Sequence, residues 1–159
     1  MTSTSKLTSN QDAAATELGY IFTFLLGVLL MSMFSIWAWG IETNTRLRWN
    51  EEAIATNMND IAAAVERADE ASRLGDISYA EEVQWRPTEA DESLFWLQLT
   101  EHELNLIDEG GPLDTSIIIS GTGAGTHEGY IPLAGVDRVW VVYSHGITTI
   151  ALDRPSVVQ

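Results

Sequence analysis

The chain has 159 residues, with 23 acidic residues against seven arginines and one lysine, Lys6, for a net charge of −15 at pH 7, and it has no cysteine. That balance excludes a nucleic-acid or anionic-lipid surface on the soluble part, because phosphate binding needs clustered Lys and Arg. The missing thiols exclude a disulfide framework, a thiolate nucleophile and a Cys-type zinc site. Acidic excess with scarce lysine keeps a surface hydrated in concentrated salt, so a halophilic source is the expectation, although an acidic extracellular domain has the same composition.

Residues 1–13 read as a short leader, polar and unstructured through residue 12. Ala13 to Thr16 are small residues, and Glu17 stands at the head of an uncharged run from Leu18 to Trp39. Twenty-two residues at ~1.5 Å each reach about 33 Å, enough for a bilayer core of ~30 Å. Trp37 and Trp39 lie near one end, where interfacial aromatics sit. The apolar part is too long, and its leader too poor in charge, for a secretory signal. The expectation is one membrane-spanning segment, residues 18–39, with membrane lipid as its partner.

From residue 42 to 74 the pattern stays helical and becomes amphipathic. Ile54, Met58, Ile61, Val65 and Ala68 recur at spacings of four and three, a single packing stripe, and the flanking charges lie mostly off it. Gly75 follows Arg73 and Leu74 as a C-terminal stop. No proline precedes Pro87, so one helix over residues 14–75 is open to the chain, with Gly40 to Thr45 as the place where it could break.

Beyond Gly75 the period changes to two. Strands are predicted at Tyr79 to Trp85, Leu94 to Leu99, Glu103 to Ile107, Ser116 to Ser120, Tyr130 to Leu133, Arg138 to Tyr143 and Ile147 to Leu152. The last two are joined through Ser144-His145-Gly146, where glycine supplies positive φ for a tight turn. The fold class expected is α+β: a long N-terminal transmembrane and amphipathic helix, then a small antiparallel sheet or sandwich over residues 76–159.

Few residues suggest chemistry. The glycine-rich segment from Gly121 to Gly129 lacks the helix that a phosphate-cradling loop must open, because Tyr130-Ile-Pro-Leu follows it, and it reads as a flexible loop. His102, His127 and His145 read as solvated turn or loop histidines; His127 and Glu128 with Asp137 would be the first place to seek a metal. Carboxylates are too abundant for any pair to stand out, and no serine sits in a Gly-x-Ser-x-Gly elbow. No catalytic residue, metal ligand or cofactor is expected, and the chain does not read as an enzyme. Glu17 is open to two readings: an acid at headgroup level favoured by the helix dipole, or one answering a neighbouring subunit's α-amino group.

Thr16-Glu-Leu-Gly-Tyr-Ile-Phe, opening an uninterrupted apolar helix, resembles the start of archaeal type IV pilin-like proteins, in particular the small haloarchaeal families. The resemblance covers roughly Asp12 to Leu74 by motif and pattern, and the remainder by architecture. It implies a prepilin peptidase as partner, cutting between Asp12 and Ala14, with Ala13-Ala14 the preferred bond. Glu17 would then be fourth in the mature chain; a cut after Asp12 would make it fifth, the position of the acid in many bacterial pilins. The chain departs from the family at Asp12, which stands where Arg or Lys is usual.

On this resemblance the chain is expected to be a structural or minor subunit of a pilus-like surface filament. Its assembly residues would be Glu17, Gly19 and Gly27, and its partners itself or other pilin-like subunits, through the helix. The resemblance places the β domain outside the cell, whereas Arg46 and Arg48, just after the span, would by themselves hold it in the cytoplasm. The competing expectation is a non-polymerising single-pass accessory or binding protein with an external β domain, similar in outline to archaellum stator subunits.

Overall fold

The computed structural model describes residues 4–75, 77–120 and 126–156, with side chains from residue 17 onward. One long helix, α1 (Thr4–Ser72), is followed by seven strands: β1 (Tyr79–Gln84), β2 (Phe95–Leu99), β3 (Glu103–Asp108), β4 (Thr115–Ile118), β5 (Thr126–Pro132), β6 (Arg138–Ser144) and β7 (Ile147–Ala151). The chain forms two compact units, Met1–Thr45 and Arg46–Gln159.

The first unit is helical from Thr4 onward. The backbone of residues 4–12, expected to be unstructured, is therefore helix, and α1 passes through Gly40 to Thr45 with no interruption. Nothing in the sequence opposes this: the unit has no proline, and glycine occurs only at 19, 27 and 40. Ala13 and Ala14, the expected processing residues, lie in the helical backbone, and their side chains are outside the described residues.

In the second unit α1 ends at the predicted stop. Arg73 N–H donates to the Glu70 carbonyl at 3.2 Å and Leu74 N–H to the Ala71 carbonyl at 3.0 Å, tightening the last turn. Gly75 then takes φ 138°, which a side chain would resist.

The strands form one sheet in the order β1-β6-β7-β5-β2-β3-β4. The α+β layout of a helix and then a β domain is thus the one adopted. The sheet is mixed rather than wholly antiparallel: five pairings are antiparallel, and β5 runs parallel to β7 with Thr126 opposite Ile147 and Glu128 opposite Thr149. β5 holds both neighbours by dividing itself, residues 126–128 facing β7 and residues 129–132 facing β2. Gly129 sits at the changeover, where a Cβ would come within 2.3 Å of Ile150 Cγ1. The β6–β7 turn has positive φ at both His145 (52°) and Gly146 (85°), the geometry of a type I′ hairpin.

Alternation along the strands gives the sheet one buried face. Phe95, Leu97 and Leu99 on β2, Leu104 and Leu106 on β3, Ile131 on β5 and Val139 and Val141 on β6 meet Ile54, Met58, Ile61, Val65 and Ala68 of α1 in a single core. Each of these side chains other than Ala68 contributes about 1.5–3 kcal/mol by leaving water. The sheet is therefore covered by a helix on one side instead of by a second sheet.

Candidate functional site

The apolar part of α1 buries nothing within the chain. Every residue from Glu17 to Trp37 is exposed, and Tyr20, Met31 and Trp39 retain about three quarters of their free surface (73, 75 and 75%). Such a surface in water is far larger than the patches soluble monomers tolerate. Its Thr and Ser side chains are satisfied inside the helix: Thr23 Oγ1 donates to the Gly19 carbonyl at 2.9 Å, Ser32 Oγ to Val28 and Ser35 Oγ to Met31, both at 2.8 Å. The segment thus presents apolar contact with its Thr and Ser hydroxyls met, as a lipid environment demands. One stretch of α1, near the N-terminus, is long and apolar enough to cross a membrane, consistent with a single-pass membrane protein.

Glu17, Gly19 and Gly27 all lie on this surface. Gly19, Thr23 and Gly27 are spaced by four and so share one face. A Cβ at either glycine would meet nothing within 4 Å, so both backbones are open to lateral approach.

The packing stripe lies in the second unit, where Ile54, Met58, Ile61, Val65 and Ala68 are all buried. The same face carries polar residues that stripe-reading passed over. Asn57, fully buried, grips one residue at both ends of its amide: Nδ2 donates to the Arg86 carbonyl at 2.8 Å and Oδ1 accepts from Arg86 N–H at 3.0 Å. Asn50 Oδ1 accepts from Glu89 N–H at 2.8 Å. Both residues tie the irregular segment after β1 to α1. Asn50 lies four residues before Ile54 and Asn57 three after it, so both share its helical face, a signal available in the sequence.

The largest correction concerns His127. Expected as a solvated loop histidine, it is 5% exposed on β5, because residues 126–129 of the glycine-rich segment are strand; residues 121–125 lie outside the described residues. His127 Nε2 is 2.7 Å from Asp69 Oδ1 on α1, and Nδ1 is 3.0 Å from the Glu101 carbonyl. Thr148 Oγ1 on β7 donates to the same Asp69 oxygen at 3.3 Å. A carbonyl only accepts, so Nδ1 is placed to donate to Glu101, and Nε2 lies within hydrogen-bond distance of Asp69 Oδ1. With both nitrogens engaged, the ring has no lone pair for a metal and no free nitrogen for a nucleophile. Glu128, the next residue along the strand, points to the opposite face and is exposed, which dissolves the expected pairing of His127 with Glu128. The arrangement pins α1, β5 and β7 together; Asp69 Oδ2 remains buried with no hydrogen-bond partner.

His102 and His145 are exposed, at the β2–β3 and β6–β7 turns. At the β1 edge Arg67 forms a two-point ion pair with Glu81 (2.6 and 2.9 Å), and Tyr79 Oη donates to the same carboxylate. Hydrogen bonding to Arg67 lowers the Glu81 pKa, against some desolvation, while Glu81 raises that of Arg67. Burial first, and then the Glu81 hydrogen bond, raise that of Tyr79. A shallow cleft of about 230 Å³ beside this pair is lined by Asp60, Arg67, Glu81 and Glu82 and offers charge already neutralised. Among the described residues no group of three or more His, Asp or Glu is placed to hold a metal ion.

Comparison of the chain with protein-family models, curated proteins and solved structures finds no match.

Proposed function

We propose that the chain is a structural or minor subunit of an archaeal type IV pilus-like filament from a halophilic source, with its β domain outside the cell. The observation that carries the reading is α1 itself. One helix begins with an apolar segment that buries nothing in its own chain and continues into a segment that is core to a β domain. An apolar helix of this kind gains little from leaving lipid for other apolar helices, so packing and polar groups decide whether it assembles. Gly19, Thr23 and Gly27 offer a face for close approach, and Glu17 supplies the one charge at its head. The mature N-terminus, read by mass spectrometry of protein sheared from cells, tests the proposal. A start at Ala14 or Ala13 in a filament fraction is expected. An intact Met1 or Thr2, held wholly in membranes, overturns it.

A second reading is favoured by Asp12, the departure from the basic residue that usually precedes the cut. In it the leader is retained and the protein is a single-pass membrane accessory, similar in outline to archaellum stator subunits. Crosslinking that yields dimers alone, with no sheared material, supports this second reading.

A further inference from the structure

From Arg46 to Ser72 the exposed side chains of α1 are polar or small, with one exception. Trp49 is 59% exposed, the one large apolar side chain so placed among the described residues of that stretch. It is flanked by Arg46 and Arg48, the closest pair of cations in the chain. On another side of the same helix lies a cleft of about 310 Å³, between α1 and the loop joining β3 to β4. Ile54, Ala55, Pro112 and Leu113 line it, and Glu51 and Asp114 edge it. At ~100° per residue, Trp49 points about 120–160° away from Glu51, Ile54 and Ala55. Those three follow it in the chain, about 3–9 Å further along the helix axis.

We propose that Trp49 of one copy of this chain seats in the cleft of a second copy. The proposal rests on the reading of the chain as a self-assembling subunit, and it names a contact outside the apolar stretch. The cleft is apolar inside, as an indole ring requires, and a buried indole N–H needs an acceptor, which the carboxylates at its edge supply. Asp114 accepts from the Asp108 N–H through Oδ1 at 2.6 Å, which leaves Oδ2 for the indole. Charge selects this pairing of copies. A chain of net charge −15 repels itself in most orientations, whereas this one sets Arg46 and Arg48 beside Glu51 and Asp114. Because tryptophan and cleft lie on different sides of α1, the contact is head-to-tail, and each assembly keeps one Trp49 and one cleft unfilled at its two ends. Such a contact, with a step along the axis, repeats without closing and generates a helical filament. It also gives Arg46 and Arg48 a function other than fixing the side of the membrane.

The chain has no cysteine, so introduced thiols report contacts without background. Two full-length variants are co-expressed and bridged in membranes with a short bismaleimide: Glu52→Cys, at an exposed position one turn from Trp49, and Pro112→Cys, at the exposed edge of the cleft. A crosslinked dimer is expected from the mixture and none from either variant alone. Trp49→Ala in both copies should lower the yield about tenfold or more, and Ala55→Phe, which fills the cleft, about as much. Arg46→Gln with Arg48→Gln should lower it about two- to fivefold at low salt, and less in molar salt, where charges are screened beyond ~3 Å. Ile118→Ala, exposed on β4, should leave it unchanged. Since Trp49 is exposed, Trp49→Ala should keep the unfolding midpoint of the β domain, which separates a lost contact from a lost fold. No mixed dimer, a dimer from either variant alone, or a yield undiminished by Trp49→Ala overturns the proposal. Sheared filaments that form normally with Trp49→Ala overturn it too, and leave the filament reading standing. A mixed dimer that needs Trp49, in a chain that keeps Met1 and stays in membranes, supports the contact and overturns the filament reading instead.

Discussion

From Leu18 to Trp39 α1 is apolar on all sides and buries nothing within the chain; from Asn50 to Asp69 it is apolar on one side, and that side is core. The Thr and Ser hydroxyls of the first stretch bond back to the helix's own carbonyls, while Asn50, Asn57 and Asp69 in the second reach the β domain. A helix that must suit lipid satisfies its polar groups within itself; one that must hold a sheet spends them on the sheet. The two stretches should therefore respond to substitution in separate assays.

The largest effect is expected at Asp69. Asp69→Ala strands the buried His127 ring and should cost the β domain about 3–5 kcal/mol in denaturant unfolding. Membrane retention should not change; a loss of retention would mean that the two stretches are coupled. Next, Met58→Ala should lower the stability of the β domain by about 2–5 kcal/mol, whereas Leu26→Ala should leave it alone. Conversely Leu26→Arg should add about 2.5–3.5 kcal/mol to membrane insertion, read as release by alkaline extraction, with the unfolding midpoint of the β domain unmoved. If Leu26→Ala destabilised the β domain, the apolar stretch would be buried after all. A smaller effect, about 1–3 kcal/mol, is expected for Asn57→Ala, which leaves the Arg86 backbone pair without its partner. It should show as faster amide exchange over residues 85–90, sharpening the assignment of Asn57 to the sheet side of the comparison.

The smallest effect belongs to the half-exposed Arg67–Glu81 pair. The pKa of Glu81 is lower in the folded chain than its ordinary value, so its contribution is complete above the ordinary carboxylate range and is lost as pH falls through the folded value. Glu81→Gln should cost under about 1 kcal/mol at neutral pH and flatten the acid limb of the stability profile. A shift larger than that would show that the β1 edge bears more of the fold than its exposure indicates.

The alternation of apolar and polar residues made every strand visible within a few positions, from Tyr79–Gln84 to Ile147–Ala151, and Gly75 and His145-Gly146 marked their turns correctly. β5 is legible in the sequence only from Tyr130, because Thr126-His-Glu-Gly129 lies in a glycine-rich stretch whose composition imitates a loop. That late start hid the parallel pairing with β7 and, with it, the burial of His127. Asn57 and Asp69 were legible as positions, three residues beyond Ile54 and four beyond Val65, yet polar residues on an apolar stripe announce no partner until the strands opposite them are known.

The sequence by itself determined the local patterns: where the chain is helical, where it alternates, which stretch is apolar enough for a bilayer and which helical stripe is apolar enough for a core. Those follow from the period and chemistry of neighbouring residues. Only the tertiary structure decided which strands lie side by side, that Asp69 meets His127 58 positions away, and that Glu51 and Ala55 border one cleft with Pro112 and Leu113. Such meetings depend on strand order and register, which short-range alternation leaves undetermined.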